Sequence, residues 1–219
     1  MRNLLLELSK SQTPSVLCLG AHCDDIEIGC AATVSQIARS VSNVHINWVI
    51  FSSTDERRSE TEKAAKQIAG AASKLNLHFL DFRDGFMPYA GSAPKDKLRD
   101  LAQEWSPDIV FTHYRDDAHQ DHRVVSEITY NLFRNHLILE YEIPKYDGDI
   151  GRPNVFVPLT KEDGDAKIEI LLDSFASQAN KHWFTDETFR SLLRLRGIES
   201  GRENVYAEAY YCRKFGLLF

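Results

Sequence analysis

Short apolar runs rich in β-branched and aromatic residues alternate with amphipathic stretches along the chain, and this alternation constrains the fold more than any other feature. The apolar runs predict strands over residues 15–21, 44–52, 77–80, 108–112, 137–143 and 155–157. Apolar residues three and four positions apart predict helices over residues 59–75, 95–105, 122–133, 166–179 and 185–195. Because strands that alternate with helices pair in parallel, we expect a three-layer α/β fold. Its sheet should be mainly parallel, with helices on both faces.

The length and net charge of the chain limit its number of domains and its partners. A chain of 219 residues fits one hydrophobic core, and no repeat or linker rich in Gly, Ser or Pro divides it. We therefore expect a single domain over residues 1–219. The formal net charge is −6, whereas a general nucleic-acid binder has a basic face, so we expect no nucleic-acid partner.

The sequence carries no sign of a membrane or secreted protein. No run of about 18 apolar residues occurs, so we expect no transmembrane segment. The apolar start over residues 1–8 is interrupted by Glu7 and is too short for a secretory signal. The cysteines form no CxxC pair and are interpreted as reduced thiols, so we expect a cytoplasmic protein.

Two polar clusters follow predicted strands at the points where those strands end. Residues 22–27, with the sequence HCDDIE, come directly after the first strand. Residues 113–122, with the sequence HYRDDAHQDH, come directly after the strand that ends at Thr112. Functional sites in parallel sheets gather at the carboxyl edge of the strands. We therefore expect both clusters at the same edge of the sheet.

Each cluster also has an interpretation that involves no ligand. Asp24 and Glu27 are spaced as an N-cap and its partner in the first turn of a helix that continues through Ile37. His113 and Asp116 are typical of a solvated surface loop. These alternatives stay open when either cluster is considered by itself.

Taken together, the two clusters contain the residues of a hydrolytic metal site. A catalytic zinc binds three side chains from His, Asp or Glu and keeps an open position for water. His22 and Asp25 can supply two ligands around a strand-to-helix turn, and His122 can supply the third. Asp24 is then free to act as a base and His119 as an acid, which is the arrangement that metal-assisted hydrolysis requires.

The order and spacing of these motifs resemble those of the PIG-L/LmbE-like family of zinc-dependent N-deacetylases. The first motif is His22-x-Asp24-Asp25-x-Glu27-x-Gly29, and about one hundred residues later comes His119-x-Asp121-His122. Further segments that look like the family's lie at 79–85, 141–144, 177–178, 196–201 and 206–209. The resemblance therefore covers nearly the whole chain.

The sequence departs from the family pattern close to these motifs. Cys23 stands where many relatives have Pro, and Gln120 stands where Pro is common. Ala31-Ala32 replaces a frequent Gly-Gly pair. None of these changes removes a ligand, the base or the acid, but they alter the backbone around the pocket. The resemblance therefore leaves the identity of the substrate open.

The resemblance implies a Rossmann-like fold of the LmbE type and a deacetylation reaction. The acetyl group of an N-acetylglucosamine-type amino-sugar conjugate would be removed, which releases acetate and a free amine. The cofactor would be Zn²⁺ or another divalent metal, held by His22, Asp25 and His122. Asp24 would act as the general base, and His119 would stabilise the charge on the carbonyl oxygen. Asp121 would orient the ring of His119 or of His22.

The resemblance also bears on the substrate and on assembly. Arg57 or Arg58, which precede a predicted helix, resemble the family's substrate-binding arginine; a solvated helix start is the alternative. Asp84 and Arg83, which follow another predicted strand, are further candidates for contacts with sugar hydroxyls. Assembly as a homo-oligomer is compatible with the resemblance.

Two other functions stay open from the residues alone. The clusters hold enough carboxylates for two metals about 3.5–4 Å apart, as in a phosphoesterase. These carboxylates are Asp24, Asp25, Asp116, Asp117 and Asp121. A non-catalytic sugar-binding or metal-storage module would need neither Asp24 nor His119. A nicotinamide dehydrogenase is not expected, because no GxGxxG motif follows the first strand.

Overall fold

Strands and helices alternate along the chain in the computed structural model, which describes residues 13–71, 73–203 and 206–216. The strands are β1 (Ser15–His22), β2 (His45–Ser52), β3 (Lys74–Phe79), β4 (Ile109–His113), β5 (Leu137–Tyr141), β6 (Val155–Leu159) and β7 (Tyr206–Tyr211). The α-helices are α1 (Asp25–Ser40), α2 (Asp55–Ala69), α3 (Ala93–Leu101), α4 (Gln120–Leu132), α5 (Lys161–Ser174) and α6 (Asp186–Glu199). Short 3₁₀ turns span Met87–Tyr89 and Ala176–Gln178. The apolar start at residues 1–8, and Ala72 of the predicted helix 59–75, lie outside the described residues.

Within the described residues, the strands form one seven-stranded sheet in the order β3-β2-β1-β4-β5-β7-β6. The strands from β3 to β5 pair in parallel, and β7 runs antiparallel to both β5 and β6. The prediction of a mainly parallel sheet is therefore confirmed. The strand order reverses at β1, which lies between β2 and β4. Ligands of such sheets bind beyond the carboxyl ends of the strands at this switch point.

Helices cover both faces of the sheet, because alternate residues of a buried strand face opposite sides. In β1, Val16 and Cys18 pack into one core with α1, α2, α5 and α6. Leu17 and Leu19 pack into a second core with α3 and α4. A strand buried on both faces has a continuous apolar sequence, which explains the run at 15–21. The predicted three-layer arrangement is confirmed. Among the described helices, none has the length and apolar character needed to cross a membrane.

Two predicted helices end earlier than their apolar spacing suggests. The helix predicted over 59–75 stops before Gly70, whose φ of 64° is a left-handed value that glycine adopts without steric cost. Leu75 therefore lies in β3, and its assignment to the helix is wrong. The helix predicted over 166–179 divides into α5 and a separate 3₁₀ turn, because the backbone of Phe175 is not helical (φ −104°, ψ 60°).

The strand β7 was not predicted, because Glu208 interrupts the apolar pattern at its centre. This carboxylate is buried, accepts hydrogen bonds from the N–H groups of Ala32 (3.0 Å) and Thr33 (2.7 Å), and pairs with Lys167 Nζ (2.6 Å). The helix α1 kinks at Cys30, whose φ is −146°. The buried ion pair therefore supplies hydrogen bonds at the point where the kink interrupts the helical ladder.

Gly29 of the first motif lies where α1 packs against β5. An added Cβ at this position would be 2.2 Å from a ring carbon of Tyr141, which is far inside van der Waals contact. The Tyr141 hydroxyl in turn donates a hydrogen bond to the carbonyl of Leu19 (2.6 Å). This close packing holds the start of α1 against the ends of β1 and β5, and it explains why the motif has a glycine here.

Candidate metal centre

The predicted site residues lie at the carboxyl edge of the sheet, at the switch point beside β1. His22 is the last residue of β1, and Asp25 is the first residue of α1. His122 lies in the first turn of α4, which follows β4. The fold therefore brings together two polar clusters that are 100 residues apart in the sequence.

Three side chains converge with the spacing of ligands around one cation. His22 Nδ1 lies 3.2 Å from His122 Nε2. Asp25 Oδ2 lies 3.4 Å from His22 Nδ1, and the other oxygen of the same carboxylate, Oδ1, lies 3.5 Å from His122 Nε2. A tetrahedral zinc with bonds of roughly 2.0–2.1 Å places its ligand atoms about 3.3 Å apart. Two imidazole nitrogens and one carboxylate at these distances could hold a metal ion, and groups with metal-ligand spacing in this cluster also include His119 and His113.

The carboxylates around the two histidines also suit a cation at this point. Burial lowers the pKa of His22, but hydrogen bonds to carboxylates, first that of Asp121, raise it well above its ordinary value. Burial and then His113 lower the pKa of His122 to about 4, so this ring is neutral near pH 7. Neutral imidazole is the form that binds metals, and a bound cation would replace the proton that the carboxylates hold on His22.

Each of these histidines has a carboxylate beside its other ring nitrogen. His122 Nδ1 lies 3.0 Å from Asp117 Oδ2. His22 Nε2 lies 2.9 Å from Asp84 Oδ1 and 3.3 Å from Asp121 Oδ2. Histidines that bind metals almost always donate the second N–H in this way, which fixes the ring and makes the free nitrogen more basic. The surroundings of the triad therefore also fit a metal site.

Asp117 is a site residue that the sequence suggested only as a ligand of a second metal. Besides His122, its carboxylate accepts the backbone N–H of His119 (2.8 Å) and pairs with Lys145 Nζ (3.1 Å). The Lys145 side chain is only 7% exposed and also contacts Asp149 Oδ2 (2.5 Å). Because these contacts engage both oxygens of Asp117, the side chain supports His122 and is not a ligand of a second metal. The sequence feature that could have indicated this role is the position of Asp117 five residues before His122, in a cluster with two further histidines.

His113 is a second residue whose place the sequence did not indicate. The expectation of a solvated His113 is wrong, because the residue ends β4 and is fully buried. Its ring stacks on that of His122, with centroids 3.9 Å apart, and its Nε2 lies 3.2 Å from Asp25 Oδ2. Asp116 is exposed as expected and accepts a hydrogen bond from the Tyr114 hydroxyl (3.0 Å).

Asp24 lies beside the triad at the N-cap position of α1, but its side chain does not cap the helix. Its backbone is left-handed (φ 97°), its side chain makes no capping hydrogen bond, and both Glu27 oxygens lack a partner among the described residues. The capping-pair alternative is therefore wrong. Burial raises the pKa of Asp24 to about 6, although an ion pair with Arg57 (2.8 Å) opposes that shift. A carboxylate with this pKa can accept a proton near neutral pH.

His119 presents one ring nitrogen to the backbone and the other away from it. It is the N-cap of α4, where its Nδ1 accepts the N–H of Asp121 (3.3 Å). In the neutral ring the proton is therefore on Nε2, which can donate it. Burial, and then the positive charge of His22, lower the pKa of His119. The ring centroids of His119 and His22 are 4.8 Å apart.

Asp121 joins the triad to a surface loop. Its carboxylate contacts the ring of His22 and accepts the N–H groups of Gly85 (2.7 Å) and Met87 (3.2 Å). Of the two rings that Asp121 was expected to orient, the side chain reaches that of His22. Asp84 lies on the same loop with its side chain 70% exposed, and the hydrogen bond with His22 lowers its pKa to about 2.

The two candidate arginines have different surroundings. Arg57 is half-buried, pairs with Asp24 and donates to the carbonyl of Cys23. Arg58 points away, pairs with Asp81 and donates to Ser53 Oγ (2.9 Å). The structure therefore brings Arg57 to the site and leaves Arg58 outside it.

Comparisons with known proteins identify the family of this chain. The family profile of PIG-L, described as GlcNAc-PI de-N-acetylase, matches residues 17–133. The uncharacterized deacetylase YaiS of Escherichia coli (strain K12) is 31% identical over 149 residues, which is 62% of this chain and 77% of that protein.

Solved structures share the fold at low sequence identity. The N,N'-diacetylchitobiose deacetylase from Pyrococcus horikoshii has a TM-score of 0.69 and 19% identity, covering 96% of this chain and 89% of the other. The 4-carboxy-2-hydroxymuconate hydratase GalB from Pseudomonas putida KT2440 has a TM-score of 0.77 and 17% identity, covering 94% and 99%. Because a deacetylase and a hydratase both have this fold, the reaction has to be argued from the site residues.

Proposed function

Since the chain belongs to the PIG-L family, we propose that it is a zinc-dependent hydrolase that deacetylates an N-acetylglucosamine-type amino-sugar conjugate, releasing acetate and a free amine. Membership of a deacetylase family supports a hydrolase that acts on amide bonds. The observation that carries the proposal is the convergence of His22, Asp25 and His122 beside an Asp24 that is not part of the triad.

The choice of an acetylated amino sugar rests on the relatives. The family description names a GlcNAc conjugate, and one structural neighbour is a deacetylase of N,N'-diacetylchitobiose. Both compounds contain an N-acetylated glucosamine ring. The exposed carboxylate of Asp84, which contacts His22, and the guanidinium of Arg57, which pairs with Asp24, are suited to sugar hydroxyls.

His22, Asp25 and His122 would hold the zinc, which when bound lowers the pKa of a water molecule and polarises the acetamide carbonyl. Asp24 accepts the proton of the attacking water, a role that contributes about 10²–10⁴ in rate. Arg57 keeps this carboxylate in place through their ion pair. The Asp117 and Asp121 carboxylates hold the rings of His122 and His22 in the orientation that presents their free nitrogens.

His119 and Asp24 complete the reaction. As the carbonyl oxygen becomes negative, His119 donates its Nε2 hydrogen toward it, which stabilises the developing charge. The C–N bond then breaks, and Asp24 passes the proton that it accepted to the leaving nitrogen. The products are acetate and the amine, and Asp24 is again ready to accept a proton.

The donor set does not by itself select zinc over other first-row divalent metals, because site affinity follows a general order among them. We propose zinc because two imidazoles and one carboxylate with a neighbouring unbound base match catalytic zinc sites. The phosphoesterase alternative has less support, since Asp116 points away and Asp117 is engaged by Lys145 and His122.

The test incubates zinc-loaded protein with a panel of N-acetylglucosamine conjugates and measures acetate and free amine. We expect both products in equal amounts, loss of turnover with a chelator, and recovery when zinc is returned. Full turnover by metal-free protein, or release of phosphate from phosphoester substrates without acetate, would refute the proposal. A sugar- or metal-binding module would give neither product.

A further inference from the structure

Two exposed aromatic rings stand beside the site on the loop between β3 and α3. Tyr89 is 82% exposed and Phe86 is 43% exposed, and their ring centroids are 6.0 Å apart. They border a shallow cavity of about 240 Å³. We call its lining the aromatic ledge, which consists of Phe82, Arg83, Phe86, Met87, Tyr89 and Ala90. Neighbouring large apolar groups left in water commonly mark a binding surface.

The aromatic ledge is attached directly to the candidate metal centre. The residues on either side of Phe86, Gly85 and Met87, both donate their backbone N–H to the Asp121 carboxylate. That carboxylate also contacts His22. Asp84, two residues before Phe86 and therefore within about 7 Å along the backbone, contacts the same ring. If the acetamide of a substrate lies at the triad, the unit attached to the acetylated sugar would lie over the aromatic ledge.

Arg83 gives the aromatic ledge a positive charge. Its guanidinium carbon lies 3.6 Å from the centroid of the Phe86 ring, so one face of the cation is covered by the ring. Between residues 13 and 216, leaving aside 72, 204 and 205, no carboxylate lies within ion-pair distance of this guanidinium. The N–H groups at its edge are therefore available to an anion, which guanidinium binds in a bidentate manner.

Building on the proposed function, we propose that the aromatic ledge binds the second unit of the substrate, a sugar ring that carries an anionic group. The ring would stack on Phe86 and Tyr89, because pyranose rings present C–H groups on their faces and hydroxyls at their edges. The carboxylate or phosphate of this unit would bind Arg83. Sites for drug-sized ligands measure roughly 300–1,000 Å³, so a cavity of about 240 Å³ holds one ring.

The experiment compares kcat/KM of the zinc-loaded protein for four probes. They are a methyl glycoside of N-acetylglucosamine, neutral N,N'-diacetylchitobiose, N-acetylglucosaminyl-glucuronic acid and UDP-N-acetylglucosamine. We expect an acidic conjugate to exceed the neutral disaccharide by about three- to fivefold. The disaccharide should exceed the monosaccharide by about three- to tenfold. A preference for the UDP conjugate alone, whose anion is a diphosphate and not a group on a second sugar ring, would overturn the proposal.

Two variants connect these ratios to the aromatic ledge. Arg83→Gln should abolish the preference for the acidic conjugate, and Phe86→Ala should abolish the gain from the second unit. The matched controls are Arg99→Gln, an exposed arginine that pairs with Asp96, and Phe215→Ala, a phenylalanine that is 61% exposed. The controls should retain both ratios. Ratios that are the same in wild type, Arg83→Gln and Phe86→Ala would overturn the proposal.

A binding measurement separates failure of the aromatic ledge from failure of the deacetylase proposal. The deacetylated probe glucosaminyl-glucuronic acid cannot react, and its Kd is measured by NMR titration of the zinc-loaded protein. We expect Phe86→Ala and Arg83→Gln each to weaken this binding about three- to tenfold. If no conjugate yields acetate but the two variants still bind the probe more weakly than wild type does, the proposed function is refuted and binding at the aromatic ledge is supported. If acetate is produced but the variants bind as wild type does, the ledge is refuted alone.

Discussion

Replacement of Asp117 by asparagine perturbs the candidate metal centre without touching a predicted ligand. One carboxylate oxygen faces His122 Nδ1 at 3.0 Å, and the other accepts the N–H of His119 at 2.8 Å. An asparagine has a single acceptor oxygen, so Asp117→Asn can accept only one of these two N–H groups. In either orientation of the asparagine amide, its NH₂ group faces an N–H donor, either that of the His122 ring or that of the His119 backbone.

The expected cost follows from the role of the carboxylate. Loss of a carboxylate partner of a metal-binding histidine typically weakens metal affinity by about 10–100-fold, which corresponds to about 1.4–2.7 kcal/mol. Asp117 is buried and also balances the ammonium of Lys145 (3.1 Å). Both features favour the upper half of the range, so we expect a loss of about 30–100-fold in zinc affinity.

The assay is a competition for zinc between the protein and a fluorescent chelator of known affinity. The matched control is Asp116→Asn, in which the neighbouring aspartate, 60% exposed and hydrogen-bonded to Tyr114, loses its charge. We expect the control to bind zinc as wild type does. A folded Asp117→Asn protein with an unchanged zinc Kd would refute the argument that this carboxylate supports His122.

Further substitutions test the base and two packing arguments. Asp24→Asn should keep bound zinc and lose about 10²–10⁴ in kcat, measured by metal analysis and acetate release. Gly29→Ala should lower the Tm by about 2–12 °C, because its Cβ would collide with the Tyr141 ring at 2.2 Å and overpacking costs about 1–3 kcal/mol. Lys167→Met should lower the Tm by about 6–20 °C, since it leaves the buried Glu208 carboxylate without its cation at a cost of about 3–5 kcal/mol.

Each of these substitutions has a control or a contrary outcome. A near-native rate in the zinc-loaded Asp24→Asn protein would remove the base assignment. Gly216→Ala, where nothing lies within 4 Å of the added Cβ, should leave the Tm unchanged. Lys63→Met breaks a pair with Asp173 that is largely exposed, so we expect a cost of less than about 1 kcal/mol. Equal losses in Lys63→Met and Lys167→Met would contradict the importance of burial.

Local sequence pattern predicts much of this fold because most of its elements are recognised by their own residues. β1 is a continuous apolar run because both of its faces are covered, and α2 carries an apolar stripe that packs on the sheet. The polar residues directly after β1 and β4 had to meet, since parallel strands end at one edge. The convergence of His22 and His122 follows from topology and could be expected from the sequence.

Features that depend on distant partners could not be predicted in this way. A glutamate in the middle of β7 is tolerated because Lys167, 41 residues away, and the kinked turn of α1 satisfy it. From the sequence, His113 resembles a histidine of a surface loop. Its burial follows from its position as the last residue of β4, directly beneath the site. The spacing of Asp24 and Glu27 is typical of a capping pair, but the left-handed backbone of Asp24 directs its side chain to Arg57 instead.

The most direct test of the account is anomalous X-ray diffraction at the zinc edge from crystals of the zinc-loaded protein. We predict one zinc per chain, about 2.0–2.2 Å from His22 Nδ1, His122 Nε2 and the Asp25 carboxylate, with Asp24 outside bonding distance. An ion bound elsewhere, two ions about 3.5–4 Å apart, or Asp24 as a ligand would contradict it.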